Sequence, residues 1–322
     1  MEEIQFKRPE LEDRELIHSY FTKYPSRSCE KTFANAYLWS RHYNVVFAII
    51  KNTLVFKSEN HGLAFSYPVG EGSDVKQAIE FLMECFEKKG LPFQLYHVTE
   101  PQFQQLEEWY PGRFEIEYQR DVADYVYESE KLATLSGKKL HAKRNHINKF
   151  KSTFEDWRYE TLSPENAEEC FQMALKWREQ NGCEEDEEKN AEMCVALNSL
   201  RLQKELELTG GILRVNGEVV AFTIGEPICE DTFVVHIEKA YSDIQGAYPM
   251  INQQFVEHEC MNYKYINIYQ YVIIPPRNQT YVFIFIFKSN CFFHFKGFYY
   301  NIFIIIKPFS IFIALFFLFK PR

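Results

Sequence analysis

A cluster of basic residues between positions 135 and 151 is the part of the sequence that points most clearly to chemistry. The segment reads LSGKKLHAKRNHINKFK, with histidine and asparagine between the basic side chains. In a helix, side chains three and four residues apart share a face, and such a basic face can bind phosphate groups, an RNA backbone or an anionic lipid headgroup. An ordinary solvated helix face is the alternative. The predicted substrate-binding residues are Lys138, Lys139, Lys143, Arg144 and His146.

A second candidate site lies in HIEKAYSDIQGAYPMINQQF, at positions 236–255. The pattern predicts a strand that carries His236, Glu238 and Ala240 on one side, then a tight turn and a helix. Backbone N–H groups at the start of such a helix can bind a phosphate. With a single glycine in the turn and Pro249 lacking an N–H, a pyrophosphate site is weakly supported. The predicted substrate-binding residues of the turn are Gln245, Gly246, Ala247 and Tyr248.

Glu238 is the predicted catalytic carboxylate, acting as a general base or as an anchor for a substrate amine. His236 is the second catalytic candidate. Each has a structural alternative, because Glu238 can pair with Lys239 or an arginine, and a histidine in a strand is often only a hydrogen-bonded core residue. The sequence therefore identifies both residues as catalytic candidates and leaves the structural alternatives open.

Composition limits the function classes. The chain has 322 residues and a net charge of −9, which argues against a general nucleic-acid coat but allows a local basic site. Its start, MEEIQFKRPELEDREL, is acidic and lacks an apolar export signal, so a cytoplasmic location is predicted. The eight cysteines form no C-x-x-C pair, so they are interpreted as reduced thiols. Neither a metal site nor a cofactor is predicted.

The elements that must position these residues alternate between helices and strands. The first half includes the helix SDVKQAIEFLMECFEKKG and ends with FEIEYQRDVADYVYE, which is interpreted as a strand and its continuation. In the second half, two helices precede a hairpin at Asn216-Gly217, a strand, the tight turn and a further helix. The pattern predicts an α+β protein with an N-terminal domain at 1–130 and a C-terminal domain at 131–267.

The end of the chain differs in composition from the rest. The sequence contains 45 Asp and Glu residues, and none of them follows Glu259. From about Ile268 onward Phe, Ile, Tyr, Asn and Lys dominate, without helical or strand periodicity. The region 268–322 is interpreted as sequence translated from outside the original frame. A membrane span at 299–319 is less favoured, because Lys307 and Pro308 lie inside it, and a strand-rich end is the third possibility.

Three stretches resemble a known family: EKTFANAYLWSRHYNVVF, DYVYESEKLATLSGKKLHAKRNHINKF and HIEKAYSDIQGAYPMINQQFVEHECMNYKYIN. They are similar to proteins of unknown function grouped with the C-terminal domain of phosphatidylglycerol lysyltransferase, over roughly residues 5–267. The resemblance implies two GNAT-like (N-acyltransferase-like) domains in tandem, with a cleft or tunnel between them. The second domain is expected to lack its last elements, since the foreign composition begins where the similarity ends.

The resemblance also implies an activity. In the lysyltransferase, this architecture transfers an aminoacyl group from charged tRNA to a lipid headgroup. The expected donor is therefore aminoacyl-tRNA, and the expected acceptor is a lipid headgroup or a small molecule with an amine or hydroxyl. Two alternatives stay open: a non-catalytic module that binds RNA or anionic lipid, and an N-acyltransferase that uses acyl-CoA.

Overall fold

The computed structural model describes residues 4–58, 64–119, 124–268 and 281–286, with the backbone alone for 117–119 and 281–286. The first half of this part of the chain supplies five strands and four helices. The strands are β1 (Val45–Ile50), β2 (Thr53–Ser58), β3 (Ala64–Ser66), β4 (Gln94–Val98) and β5 (Phe114–Gln119). The helices are α1 (Arg14–Lys23), α2 (Phe33–Trp39), α3 (Gly72–Lys89) and α4 (Glu100–Trp109).

The second half supplies the elements that carry the candidate site. Its strands are β6 (Tyr125–Glu128), β7 (Trp157–Thr161), β8 (Thr209–Val215), β9 (Glu218–Cys229), β10 (Thr232–Ala240) and β11 (Tyr265–Ile268), followed by β12 (Tyr281–Ile286). Its helices are α5 (Ser129–Thr134), α6 (His141–Thr153), α7 (Ala167–Gln180), α8 (Glu187–Arg201) and α9 (Ala247–Phe255), which continues as a π-helical turn (Val256–Cys260).

Two six-stranded sheets form from these strands. The first has the order β1-β2-β3-β4-β12-β5, and the second has the order β6-β11-β10-β9-β8-β7. In the second sheet β11 runs parallel to β10, and the other neighbouring strands are antiparallel. Each sheet is packed against helices, so the α+β class predicted from the sequence matches the structure.

Strands β5 and β6 belong to different sheets, which corrects one prediction made from the sequence. The stretch from Phe114 to Glu128 was expected to be one strand and its continuation, but β5 pairs with β12 in the first sheet and β6 pairs with β11 in the second. Strand propensity alone cannot distinguish a continued strand from two strands in different sheets. The change of sheet therefore lies between residues 119 and 125, a few residues before the predicted boundary at 130.

Part of the Phe/Ile-rich end falls within the described residues. Backbone pairing places β12 between β4 and β5, antiparallel to both. The rest of that region, 269–280 and 287–322, lies outside the described residues, and so does the possible span at 299–319. The foreign origin of the region and the incompleteness of the second domain remain predictions.

Helices cover both faces of the second sheet. On one face, Ile147 and Phe150 of α6 pack with Met250 and Ile251 of α9 against Leu213 of β8. On the opposite face, α7 and α8 pack against side chains of β8, β9 and β10 in a core that also includes residues of α1 and α2. Burial of each such large apolar side chain is worth about 1.5–3 kcal/mol. The alternation of apolar residues along the strands thus holds α6 and α9 side by side.

Two further observations concern the described residues. Their seven cysteines are free thiols, four of them buried. None of the described helices combines the length and the hydropathy needed to cross a lipid bilayer.

Candidate functional site

Helix α6 forms as the basic segment predicted. Ile147 and Phe150 are buried, and this leaves the basic side chains toward solvent. Lys138 and Lys139 lie in a 3-10 turn just before the helix, and both are exposed. His146 is exposed as well, whereas Lys143 is partly buried. The predicted basic face therefore exists, and Lys143 is its partly buried lysine.

Arg144 has a different orientation from the lysines. Its Nη1 donates to the carbonyl oxygens of Leu135 and Gly137, the latter at 2.9 Å. These carbonyls belong to the loop that connects α5 with α6. Arg144 therefore fixes the loop, and this nitrogen is already engaged within the protein.

Glu238 lies where α6, α9 and β10 meet. Its Oε2 accepts a 2.9 Å hydrogen bond from Nδ2 of Asn252, which is only 5% exposed. Burial raises the pKa of Glu238 to about 7, and the Asn252 hydrogen bond and the positive charges of Lys143 and Lys239 oppose this shift. A carboxyl group with a pKa near neutrality can exchange protons at physiological pH. The predicted catalytic carboxylate thus lies beside the basic helix.

The alternative in which Lys239 pairs with Glu238 does not occur. Lys239 Nζ instead lies 2.5 Å from Oε1 of Glu192, and 4.4 Å from the ring centroid of Trp177. Adjacent residues of a strand point to opposite faces, so Lys239 reaches α7 and α8 while Glu238 reaches α6 and α9. Within the described part of the chain, Oε1 of Glu238 makes no hydrogen bond to protein.

His236 is not on the side predicted for it. Val235 pairs with Gly225 and Ile237 with Ile224, so a β-bulge leaves His236 without a partner opposite it. Its Nε2 lies 2.8 Å from Oε1 of Glu226, away from α9. The expectation of one shared side therefore fails, because the bulge reverses the alternation between Val235 and Ile237, which pack in different cores.

The turn before α9 is tightly packed. Gly246 has φ +90°, and a Cβ at this position would lie 2.5 Å from the carbonyl oxygen of His146. The N–H of Ala247 already donates to the carbonyl of Ile244 at 3.0 Å. Pro249 has no N–H to offer. Two of the positions at this turn therefore offer no free backbone donor, while Gln245 is exposed beside the turn.

Tyr248 and Asn252 connect this turn to Glu238. Burial raises the pKa of Tyr248 first of all, and the nearby Glu238 carboxylate adds to the shift. Tyr248 is still 37% exposed, so its ring borders the open side of the site. Asn252 was not identified from the sequence. Its spacing of four residues from Tyr248, which places both on one helical face, was the available signal.

A second polar cluster lies on the other face of β10 and was also missed. Glu30 Oε2 accepts a 2.9 Å hydrogen bond from Asn35, and its Oε1 lies 3.8 Å from Nε2 of His97. Burial and the Asp124 carboxylate raise the pKa of Glu30 to about 7, whereas His236 opposes the shift. Burial lowers the pKa of His97 to about 3. Four distant segments supply these groups, and no local sequence pattern predicts their association.

No group of three or more His, Cys, Asp or Glu side chains in the described ranges is arranged to hold a metal ion.

A family model described as "Phosphatidylglycerol lysyltransferase, C-terminal" matches residues 21–273. The chain belongs to this family. A conserved protein of unknown function from Bacteroides thetaiotaomicron VPI-5482 has 37% sequence identity and a TM-score of 0.80, over 88% of this chain and all of that one.

More distant structures share the fold. L-PGS from Bacillus licheniformis gives a TM-score of 0.59 at 13% identity, over 90% of this chain and 95% of that chain. The C-terminal domain of a putative lysylphosphatidylglycerol synthetase from Agrobacterium fabrum gives a TM-score of 0.57 at 12% identity, over 85% of this chain and 92% of that chain. These comparisons and the two sheets confirm the predicted α+β fold class, and they show that the chain shares its fold with L-PGS.

A curated relative is an uncharacterised protein. The protein MYCGA3080 of Mycoplasmoides gallisepticum (strain R(low / passage 15 / clone 2)) is 27% identical over 148 residues, which is 44% of this chain. The chain spans 46% of the length of that relative.

Proposed function

We propose that this family member is an aminoacyltransferase that takes its acyl group from aminoacyl-tRNA. The observation that carries the proposal is the convergence of Lys143 and Glu238, which the packing of α6 on α9 brings together. A phosphate-binding surface thereby adjoins a carboxylate able to accept a proton. The family name and the fold shared with L-PGS support the same class of reaction.

The donor is expected to lie along the exposed side of α6. Lys138, Lys139 and Lys143 offer ammonium groups to the tRNA backbone, and His146 adds a hydrogen-bonding group. Arg144 contributes indirectly, because it holds the loop that precedes the helix. With a net charge of −9 for the whole chain, this local basic surface favours one orientation of the tRNA.

The reaction needs a nucleophile and a proton acceptor. The acceptor molecule attacks the ester carbonyl carbon, its bond to that carbon forms, and the ester C–O bond to the tRNA ribose breaks. Oε1 of Glu238 receives the proton of the nucleophile, since Oε2 is held by Asn252. Protonated Glu238 then returns this proton to the departing ribose oxygen.

The geometry gives less support to acyl-CoA as donor. A CoA pyrophosphate needs free N–H groups at the start of α9, but the N–H of Ala247 is used by Ile244 and Pro249 has none. The close approach of α6 to Gly246 also fills the space beside the turn. An aminoacyl-tRNA donor does not require this pyrophosphate site.

Binding measurements test the donor. Fluorescence anisotropy with labelled tRNA at several salt concentrations is expected to show saturable binding. Lys143→Glu should reduce the slope of the logarithm of the binding constant against the logarithm of the salt concentration by about 1. Lys89 is an exposed lysine at the end of α3, so Lys89→Glu is the matched control and should leave the slope unchanged. Saturable binding of acetyl-CoA in calorimetry, with no tRNA binding, would overturn the proposal in favour of the acyl-CoA alternative.

The non-catalytic alternative requires a separate assay. A binding module would bind tRNA through the same lysines but would not accelerate loss of the aminoacyl ester. Transfer to any acceptor that depends on Glu238 excludes this alternative. Binding that Lys143→Glu abolishes, with no transfer under any condition, supports it.

A further inference from the structure

We propose that the acceptor in this reaction is a primary amine and not an alcohol, an inference that rests on the proposed function. It begins from the chemistry of the proton acceptor. Glu238 is a half-buried carboxylate with Oε2 bound to Asn252, and Oε1 accepts no hydrogen bond from the described residues. A carboxylate oxygen in this position is a direct ligand for an ammonium or amine group.

Among the residues that the structure describes, no stronger base contacts Glu238. The β-bulge turns His236 toward Glu226, and the described residues place no other histidine in hydrogen-bond contact with Glu238. An alkylammonium has a pKa of about 10.4, whereas bulk water, which resembles an alcohol, has a pKa of about 15.7. A lone carboxylate is therefore better matched to removing a proton from an amine than from a hydroxyl.

The surroundings of Glu238 favour the same acceptor. The positive charge of Lys143 near Glu238 disfavours a second cation, so a bound amine loses its proton more readily and exposes its lone pair. The partly exposed ring of Tyr248 can contact the carbon chain of the amine.

The step balances without another reactant. The amine nitrogen attacks the ester carbonyl carbon, and a C–N bond forms. The nitrogen loses a proton to Oε1 of Glu238, the ester C–O bond breaks, and Glu238 passes this proton to the departing ribose oxygen. The products are an amide and uncharged tRNA.

The test uses two acceptors that differ in one atom. Total tRNA charged with a mixture of radiolabelled amino acids is incubated with the full chain and either propylamine or 1-propanol. Charged tRNA is removed by acid precipitation, and the propyl ester and the amide are separated and quantified by chromatography. A parallel sample is treated with mild alkali, which hydrolyses esters and leaves amides intact. We expect alkali-stable amide to form at least tenfold faster than without protein, and at least tenfold faster than propyl ester.

Variants link the reaction to the site. Glu238→Gln, of nearly the same shape, should reduce amide formation at least tenfold, while Lys89→Glu should leave it unchanged. Because Glu238→Gln can alter folding, the pH dependence of the wild-type rate is a second measurement, and it should rise as Glu238 ionises. A rate that stays unchanged through this range contradicts the role of Glu238.

The outcomes separate the inference from the function on which it rests. Ester formed in excess over amide would overturn the amine acceptor and leave an aminoacyl-tRNA-dependent transferase. Amide formation unaffected by Glu238→Gln would overturn the assignment to this site. Formation of neither product above the protein-free rate would overturn both proposals.

Discussion

Asn252 donates a 2.9 Å hydrogen bond from Nδ2 to Oε2 of Glu238, across the contact between α9 and β10. Asn252 is buried, so this bond links the interior of α9 to the carboxylate that faces α6. The contact fixes the orientation of Glu238 and leaves Oε1 for a substrate. The proposed chemistry depends on this arrangement.

Loss of the Asn252 amide should change the proton affinity of Glu238. The hydrogen bond favours the ionised carboxylate, so Asn252→Leu is expected to raise the pKa of Glu238 above about 7. Carbon-13 NMR titration of labelled glutamate side chains measures this pKa directly. Asn148→Ala, at an exposed position on α6, is the control. An unchanged titration in Asn252→Leu would show that the bond does not tune Glu238.

The raised pKa of Glu238 also predicts how stability depends on pH. A carboxyl whose folded pKa lies above its ordinary value of 4.5 disfavours folding once it ionises, so its contribution is lost as pH rises toward 7. Relative to wild type, Glu238→Gln should gain about 2 kcal/mol of unfolding free energy between pH 5 and pH 8. Urea titrations at the two pH values measure the difference. A constant difference between the two proteins would contradict a perturbed Glu238.

Gly246 is expected to be intolerant of a side chain. Gly246→Ala combines a positive φ with a Cβ placed 2.5 Å from the His146 carbonyl oxygen, so we expect a loss of about 3 kcal/mol. Gly90, which ends α3, is also left-handed, with φ +66°, but has no atom within 4 Å of the Cβ position. Gly90→Ala should therefore cost only about 1 kcal/mol. Equal losses in thermal or urea unfolding would mean that α6 does not press on this turn.

Arg144 and Lys139 should differ in their effects although both belong to the basic segment. Arg144→Met removes the donor to the carbonyls of Leu135 and Gly137 and is expected to cost about 1–2 kcal/mol. Lys139→Met changes an exposed side chain and should alter stability by less than about 0.5 kcal/mol. Denaturant titrations of both variants make the comparison. A stable Arg144→Met variant with weakened tRNA binding would instead place Arg144 in the binding surface.

The ion pair between Arg27 and Asp231 connects the two halves of the chain. Arg27 Nε donates to Oδ1 of Asp231 at 3.1 Å, and the guanidinium also lies over the ring of Tyr265. This arginine holds the pKa of Asp231 well below its ordinary value of 3.8. Because both side chains are partly exposed, Asp231→Asn should cost only about 1 kcal/mol.

The contribution of Asp231 to the free energy of unfolding has the opposite pH dependence to that of Glu238. A depressed folded pKa stabilises the protein above the ordinary pKa and loses its effect as the pH falls. The difference between wild type and Asp231→Asn should therefore shrink between pH 7 and pH 3. Glu184→Gln, which loses a more exposed contact with Arg178, is the control and should have little effect at either pH.

Local patterns predicted the helix and the turn of the candidate site but not the directions in which His236 and Arg144 point. The helical spacing around Lys143 and the turn before Tyr248 are encoded in neighbouring residues, so both were correctly placed. The reversal of His236 depends on a β-bulge, which no residue type in the strand specifies. Arg144 turns inward because of loop carbonyls that a helical wheel does not show. The Glu30 and His97 cluster requires tertiary contacts between distant segments.

The most direct test of the proposed function is the single-turnover loss of the aminoacyl ester from charged tRNA, compared between wild type and Glu238→Gln. We predict that wild type accelerates this loss, and that Glu238→Gln slows it about 100-fold at unchanged tRNA affinity. Equal rates for the two proteins, with tRNA bound to both, would contradict an aminoacyl-transfer site at Glu238.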